Sequence, residues 1–266
     1  MKEIYSAIRC FTALQSINIK NALSYVANFW IDMLIFAIDQ CSGLIFLWII
    51  FTRVNTINGW SLSEIVFLYG MLVLSLSLYR LFFQGVRDTG SLILNGGLDQ
   101  YLTKPRNTLF LMSIRRSNIN GLGDFITGLC LIILAGHYMN YEWGLFKVIL
   151  LAVFIISGNI IMIAIMMIQA TVCFWIIRFT VLHNIIMTLR QFCQYPLTIY
   201  SRVIRILLYT IIPFAFVSYI PSAIILGKDN ISKWWIISPP LAAILCITFA
   251  ISFFHIGIRF YESTGS

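Results

Sequence analysis

Charge is what this sequence is short of. Asp, Glu, Lys and Arg make up 11% of its 266 residues, while 60% are hydrophobic. Soluble domains carry about 25% charged residues, so too few remain here to coat a water-facing surface. Groupings that carry chemistry are missing as well. The cysteines (Cys10, Cys41, Cys130, Cys173, Cys193, Cys246) stand singly in apolar surroundings, without a Cys-x-x-Cys pair. That excludes a disulfide framework or a zinc site of ordinary spacing. His137, His183 and His255 are isolated, and the acidic residues are scattered rather than clustered for a metal-dependent headgroup transferase. No Gly-x4-Gly-Lys-Ser/Thr phosphate loop occurs. No catalytic, cofactor-binding or metal-ligating residue is therefore expected in this chain.

Long apolar runs are what the sequence has. A helix needs about 20 such residues to cross a hydrocarbon core of about 30 Å. Runs of this kind lie at about residues 30–51, 64–82, 119–136, 146–177 and 234–258, and 179–195 just reaches the length. The ten-residue alternating segments of a β-barrel are absent. The first run follows an amphipathic stretch and precedes further spans, unlike a cleavable signal. The expected fold is all-α and polytopic, with six transmembrane helices forming a domain over 29–266. Residues 1–28 repeat Ile4, Ile8, Phe11 and Leu14 at helical spacing among Lys2, Arg9 and Lys20, which suits an amphipathic helix in the membrane interface. Trp60 in the first loop is placed as an interface anchor.

Polar interruptions carry the functional signal. The interval 83–118 is dense in charge and helix breakers: Gly96 and Gly97 permit a turn, and Pro105 disfavours helix at Lys104. Between them, 98–103 is long enough for a short exposed helix that another protein can grip. The segment 196–230 holds Pro196, Pro213 and Pro221 with Arg202 and Arg205, so a broken or re-entrant path is expected. Asp39 falls near the middle of the first span, where an ionisable group faces protein or water.

Six crossings place both termini on one side, with Lys2, Arg9, Lys20, Arg80, Arg87, Lys104, Arg106, Arg115, Arg116, Arg178 and Arg259. The other side receives the smaller set Arg53, Lys147, Arg202, Arg205, Lys228 and Lys233, and Arg190 is unassigned. The bias puts both termini and the central loop in the cytoplasm, and it accounts for the net charge of +8 without a nucleic-acid partner. Arg202 and Arg205 run against it.

Three stretches bear a family likeness. They are Gly59-Trp-Ser-Leu-Ser-Glu-Ile-Val-Phe-Leu-Tyr-Gly70, Gly97-Leu-Asp-Gln-Tyr-Leu-Thr-Lys-Pro105, and Gln194-Tyr-Pro-Leu-Thr-Ile-Tyr200 together with Ile211-Ile-Pro-Phe-Ala-Phe-Val-Ser-Tyr-Ile-Pro221. On these the chain resembles the permease subunits of type-2 ATP-binding-cassette exporters, in the branch with paired permeases and a separate ATPase. The resemblance implies a coupling helix in the central loop, docking on cytoplasmic ATPase subunits that hold ATP and Mg. It also implies a second permease, identical or related, and the inner membrane of a bacterium. Arg87, Asp88, Leu98, Asp99, Gln100, Tyr101 and Lys104 would form the docking surface. Asp39, Pro213, Ser218, Tyr219 and Pro221 would belong to the pathway or its gate. The substrate would be amphipathic or hydrophobic, a lipid, peptide or drug-like molecule. Arg106 and Asn107 depart from the apolar residues that often follow the proline in this branch. Replacing Leu98 and Tyr101 with polar residues is expected to uncouple hydrolysis from transport.

Two other classes compete. An ion-coupled secondary transporter or channel would use Asp39 and Arg190 as a relay. An intramembrane aspartyl protease would use Gly121-Leu-Gly-Asp124, but the Tyr-Asp pair such enzymes carry is absent.

Overall fold

The computed structural model describes residues 2–24, 26–118, 120–176, 179–228 and 232–261; Arg178, and the side chains of Asp32 and Asp39, lie outside the described set. Helix α1 (Lys2–Ser24) leads into α2 (Val26–Phe51) and, after a tight turn, α3 (Leu62–Phe83). The central interval folds as a 3-10 turn (Gln84–Asp88), α4 (Thr89–Leu94), α5 (Asp99–Leu102) and α6 (Thr108–Ile114). Then come α7 (Asn120–Tyr138), α8 (Leu145–Val172), α9 (Phe179–Gln191), α10 (Arg202–Thr210), α11 (Tyr219–Leu226) and α12 (Ser238–Gly257).

Four described helical stretches are long and apolar enough to cross a membrane: Leu62–Ile93, Gly121–Tyr138, Leu145–Val172 and Trp234–Phe260. A fifth is reached if Arg202–Thr210 and Phe214–Leu226, bent by 75°, count as one span. The expected crossing at 179–195 is shorter than its apolar run. Its helix has 13 residues, which rise about 20 Å. Of α2, the apolar stretch Gln40–Phe51 is described in full.

Helix α3 is the axis of the bundle. Its span is 72% buried, against 22% for Trp234–Phe260. Helices α7 and α8 pack on α3, and α12 packs on α8. The contacts are close because the seams are lined with small residues, the usual way for helices to approach in lipid. A Cβ on Gly121 would stand 2.5 Å from the Leu81 nitrogen, and one on Gly128 2.7 Å from Leu74 Cγ. On the α8 side, a Cβ on Gly158 would meet Ser75 Oγ at 2.3 Å. One residue on, the buried Asn159 amide accepts from the Leu78 N–H at 3.0 Å and donates to the Leu74 carbonyl at 3.2 Å. The outer faces remain apolar: Leu34, Ile35 and Ile38 of α2, Ile126 and Ile133 of α7, and Ile244, Leu245 and Phe249 of α12 are exposed.

Asn58 and Gly59 both have positive φ, 49° and 83°. They close a two-residue turn in which Ile57 and Trp60 exchange backbone hydrogen bonds of 2.9 and 3.0 Å. The turn drives Trp60 inward, so it is not the exposed interface anchor expected: it is 0% exposed and its ring lies 6.0 Å from that of Tyr219. The same end is tied by Lys228, which pairs with Glu64 at 2.9 Å and donates to the Gly59 carbonyl at 2.9 Å. Glu64 also accepts from the Ser61 N–H at 2.8 Å, closing the start of α3.

The seam fixes an expected outcome. Gly121→Val forces backbone against side chain and lowers stability by about 1–3 kcal/mol. Gly144→Ser, at the N-cap of α8 where a Cβ meets nothing within 4 Å and serine is a favoured cap, does not lower it. Thermal melts of the purified chains in detergent distinguish the two, and equal melting temperatures would contradict the packing described.

Candidate functional site: the central segment and the polar cavity

Two features converge on α3, one at its carboxyl end and one along its length. The first is the folded interval 84–118. Gly96, with φ 65°, turns the chain between α4 and α5, and the Leu98 N–H returns to the Leu92 carbonyl at 3.2 Å. Asn107 caps α6 by accepting from the Phe110 N–H at 3.1 Å. Gly85 packs so closely that a Cβ there would lie 2.2 Å from the Met112 carbonyl oxygen, and its N–H donates to the Arg116 carbonyl at 3.1 Å. The interval is therefore folded, with an inner and an outer side.

Its inner side is held by the ends of other helices. Leu98 is 0% exposed and clusters with Met112 and with Phe254 of α12, bordered by Phe174, just past α8, and by Tyr261. From the amino-terminal side, Arg106 donates to Ser6 of α1, and Gln15 donates to the Phe82 carbonyl at 3.4 Å. Phe11 packs on Phe82, with ring centroids 5.6 Å apart and the planes tilted by 53°. So α1, α3, the end of α8 and the end of α12 all meet the central segment, which brings both ends of the described chain to one end of the bundle.

The expected docking residues divide between these two sides. Arg87, Gln100 and Lys104 are exposed, and so is Leu102 at 41%. Tyr101 is half-buried, with the Lys104 ammonium 4.9 Å above its ring and Arg115 at 5.9 Å. Asp88 pairs with Arg116 at 3.5 Å. Asp99 is half-buried near Tyr261, whose phenol pKa is raised by burial and then by that carboxylate. Leu98 departs from the expectation of an exposed helix: it is the internal pin of the segment. A polar residue there breaks the chain's own packing, so it does not isolate contact with a partner.

The second feature is a polar cavity of about 460 Å³ between α2, α3, the start of α7, α9 and the turn that follows. Gln40, Tyr69, Arg80, Asp124, Arg190, Gln194 and Tyr200 line it, with Phe46, Val73 and Leu76. Tyr69 donates to Gln40 across the α2–α3 interface. Arg80 Nη1 reaches both Asp124 oxygens, at 3.2 and 2.9 Å; the Asp124 side chain is 2% exposed and that of Arg80 31%. A carboxylate so engaged is a structural ion pair rather than half of a proteolytic aspartate dyad. Arg190 is on the wall, while the Asp39 side chain falls outside the described residues.

The residues expected at a gate sit elsewhere. Ser218, Tyr219 and Pro221 are buried and Pro213 is half-buried. Ser218 donates to the Cys193 carbonyl at 2.9 Å, and Tyr219 borders a second cavity beside α10. Sequence reasoning missed Gln40, Tyr69 and Gln194. Their signal was present as single polar groups inside apolar runs, but only packing brings them to one wall.

A family model described as ABC-2 family transporter protein matches residues 37–265, nearly the whole chain and every spanning helix described. The chain belongs to the ABC-2 transporter family. It is accordingly an integral membrane component of an ATP-binding-cassette transporter, and ATP-binding-cassette partners are implied in general. Comparison with curated proteins and with solved structures returns no match. In this ABC-2 chain, the central segment fastens four regions of the sequence together beneath an exposed polar face.

The buried pair gives a second expected outcome. Asp124→Asn leaves the Arg80 guanidinium uncompensated among apolar helices. The loss is about 2–3 kcal/mol, at the low end for a buried pair because Arg80 keeps 31% of its side-chain surface. Adding Arg80→Gln to that variant recovers part of the stability. A double-mutant cycle from detergent melts measures the coupling, and strictly additive losses would rule it out.

Proposed function

We propose that this chain is the permease subunit of an ATP-binding-cassette exporter, forming half of a pathway completed by a second permease. A separate cytoplasmic ATPase, holding ATP and Mg, supplies the energy. In this reading α2 and α9 join the other spanning helices to make six crossings, with α10 and α11 as the broken element before the last. The membrane is the inner membrane of a bacterium, and both termini and the central segment face the cytoplasm. The Lys and Arg bias supports that orientation, and family membership supports the partner class.

The observation that carries the proposal is the burial of Leu98 against Met112 and Phe254 beneath the exposed Gln100, Leu102 and Lys104. A force on that outer face reaches α12 and the end of α8 through packed side chains, and α3 through the Gly85 contact. Close-packed interfaces of this kind move as units rather than deform. Closure of an ATPase pair against α5 therefore tilts helices that border the polar cavity or pack on those that do. The cargo is amphipathic, since polar groups line the cavity while the helix exteriors are apolar.

The test uses the exposed face and leaves the pin intact. Leu102→Glu combined with Lys104→Glu is expected to weaken retention of the ATPase about tenfold or more and to abolish stimulated transport, with the permease melting temperature unchanged. Leu98→Asp instead lowers the melting temperature. Full ATPase retention and transport in the surface double variant would overturn the docking assignment.

A further inference from the structure

Beside α10, on the Trp60 side of the bundle, lies a second cavity of about 380 Å³, lined by Leu197, Thr198, Arg202, Arg205, Ile206 and Tyr219 among others. Helix α10 is bent by 75° from the helical stretch that follows. Its Leu208 is fully buried in the core, whereas Arg202, Arg205, Val203 (75%) and Ile206 (51%) are exposed. Guanidinium groups thus stand next to exposed apolar side chains.

Two observations say that this arrangement is incomplete without an anion. Among the described residues, neither Arg202 nor Arg205 has a carboxylate partner; the ion pairs are Arg80–Asp124, Arg116–Asp88 and Lys228–Glu64. Both arginines occupy the first turn of α10, where the helix dipole disfavours cations and the Ser201 side chain makes no capping bond.

We propose that this cavity binds the phosphate of an anionic phospholipid, in the leaflet opposite the central segment. Arg202 and Arg205 hold the phosphate by charge-assisted hydrogen bonds, and the acyl chains lie along Val203, Ile206 and Ile211. The same anion explains why two arginines interrupt the side of the protein that the charge bias leaves poor in Lys and Arg. The site stands whether or not the ATPase reading holds, because it needs neither nucleotide nor a second subunit.

The experiment uses the purified full chain in detergent, titrated with phosphatidylglycerol, phosphatidylcholine or inorganic phosphate, with native mass spectrometry and thermal melting as readouts. Phosphatidylglycerol is expected to bind and raise the melting temperature, and the other two are not. Arg202→Gln combined with Arg205→Gln weakens phosphatidylglycerol binding roughly thirty-fold, each basic side chain contributing about fivefold at an anionic lipid. Arg202→Lys with Arg205→Lys retains most of the binding, and Arg53→Gln retains all of it. Undiminished phosphatidylglycerol binding by the glutamine variant would overturn the proposal. Equal stabilisation by phosphatidylcholine or by inorganic phosphate would also overturn it, and that comparison on the unaltered chain decides even if the glutamine variant does not fold.

Discussion

The burial of α3 between α7 and α8 is the constraint on which the remaining architecture rests. Lipid is as apolar as leucine, so helices in a membrane gain little by hiding leucine from it. What holds them together is close approach, and Gly121, Gly128 and Gly158 provide it by letting backbones and short side chains touch. Once α3 is fixed on both sides, its carboxyl end sets the position of the central segment. Its amino end, closed by Glu64, sets the turn that carries Trp60 inward.

The central segment then acquires two different sides. Its apolar residues, Val86, Leu98 and Met112 among them, are buried against the ends of helices. Of its charged residues, Arg87, Lys104 and Arg116 stay outside, while Asp88, Asp99, Arg106 and Arg115 are half-buried. The result is a folded plate whose inner side is continuous with the membrane bundle and whose outer side is wet.

Polar groups inside the apolar bundle fall into a graded series. The Asn159 amide is satisfied by the α3 backbone and by the Ile155 carbonyl of its own helix, and acts as a clip. Arg80 and Asp124 satisfy each other while still facing a cavity. Arg202 and Arg205 have no carboxylate partner among the described residues. These two arginines lie outside that interior, at the exposed surface, so the order runs from polar groups that the fold satisfies to ones left open to a ligand.

The sequence by itself determined the class of the molecule. Sparse charge and apolar runs of spanning length admit a helical membrane protein and little else, and glycines with a proline marked the central interval as folded apart from the spans. The broken character of 196–230 was also legible, because three prolines and two arginines cannot sit in an unbroken span. Tertiary structure decided the rest. Whether Leu98 points at a partner or into the chain depends on the ends of α8 and α12, which lie far away in sequence. Trp60 goes inward because a turn with positive φ points it there, although an interfacial tryptophan is the commoner outcome. Gln40, Tyr69 and Arg190 share a wall only after α2, α3 and α9 have packed. Hydrophobic periodicity says how each helix meets its solvent, but contacts between distant residues depend on which small side chains allow two backbones to approach, and that is settled only in three dimensions.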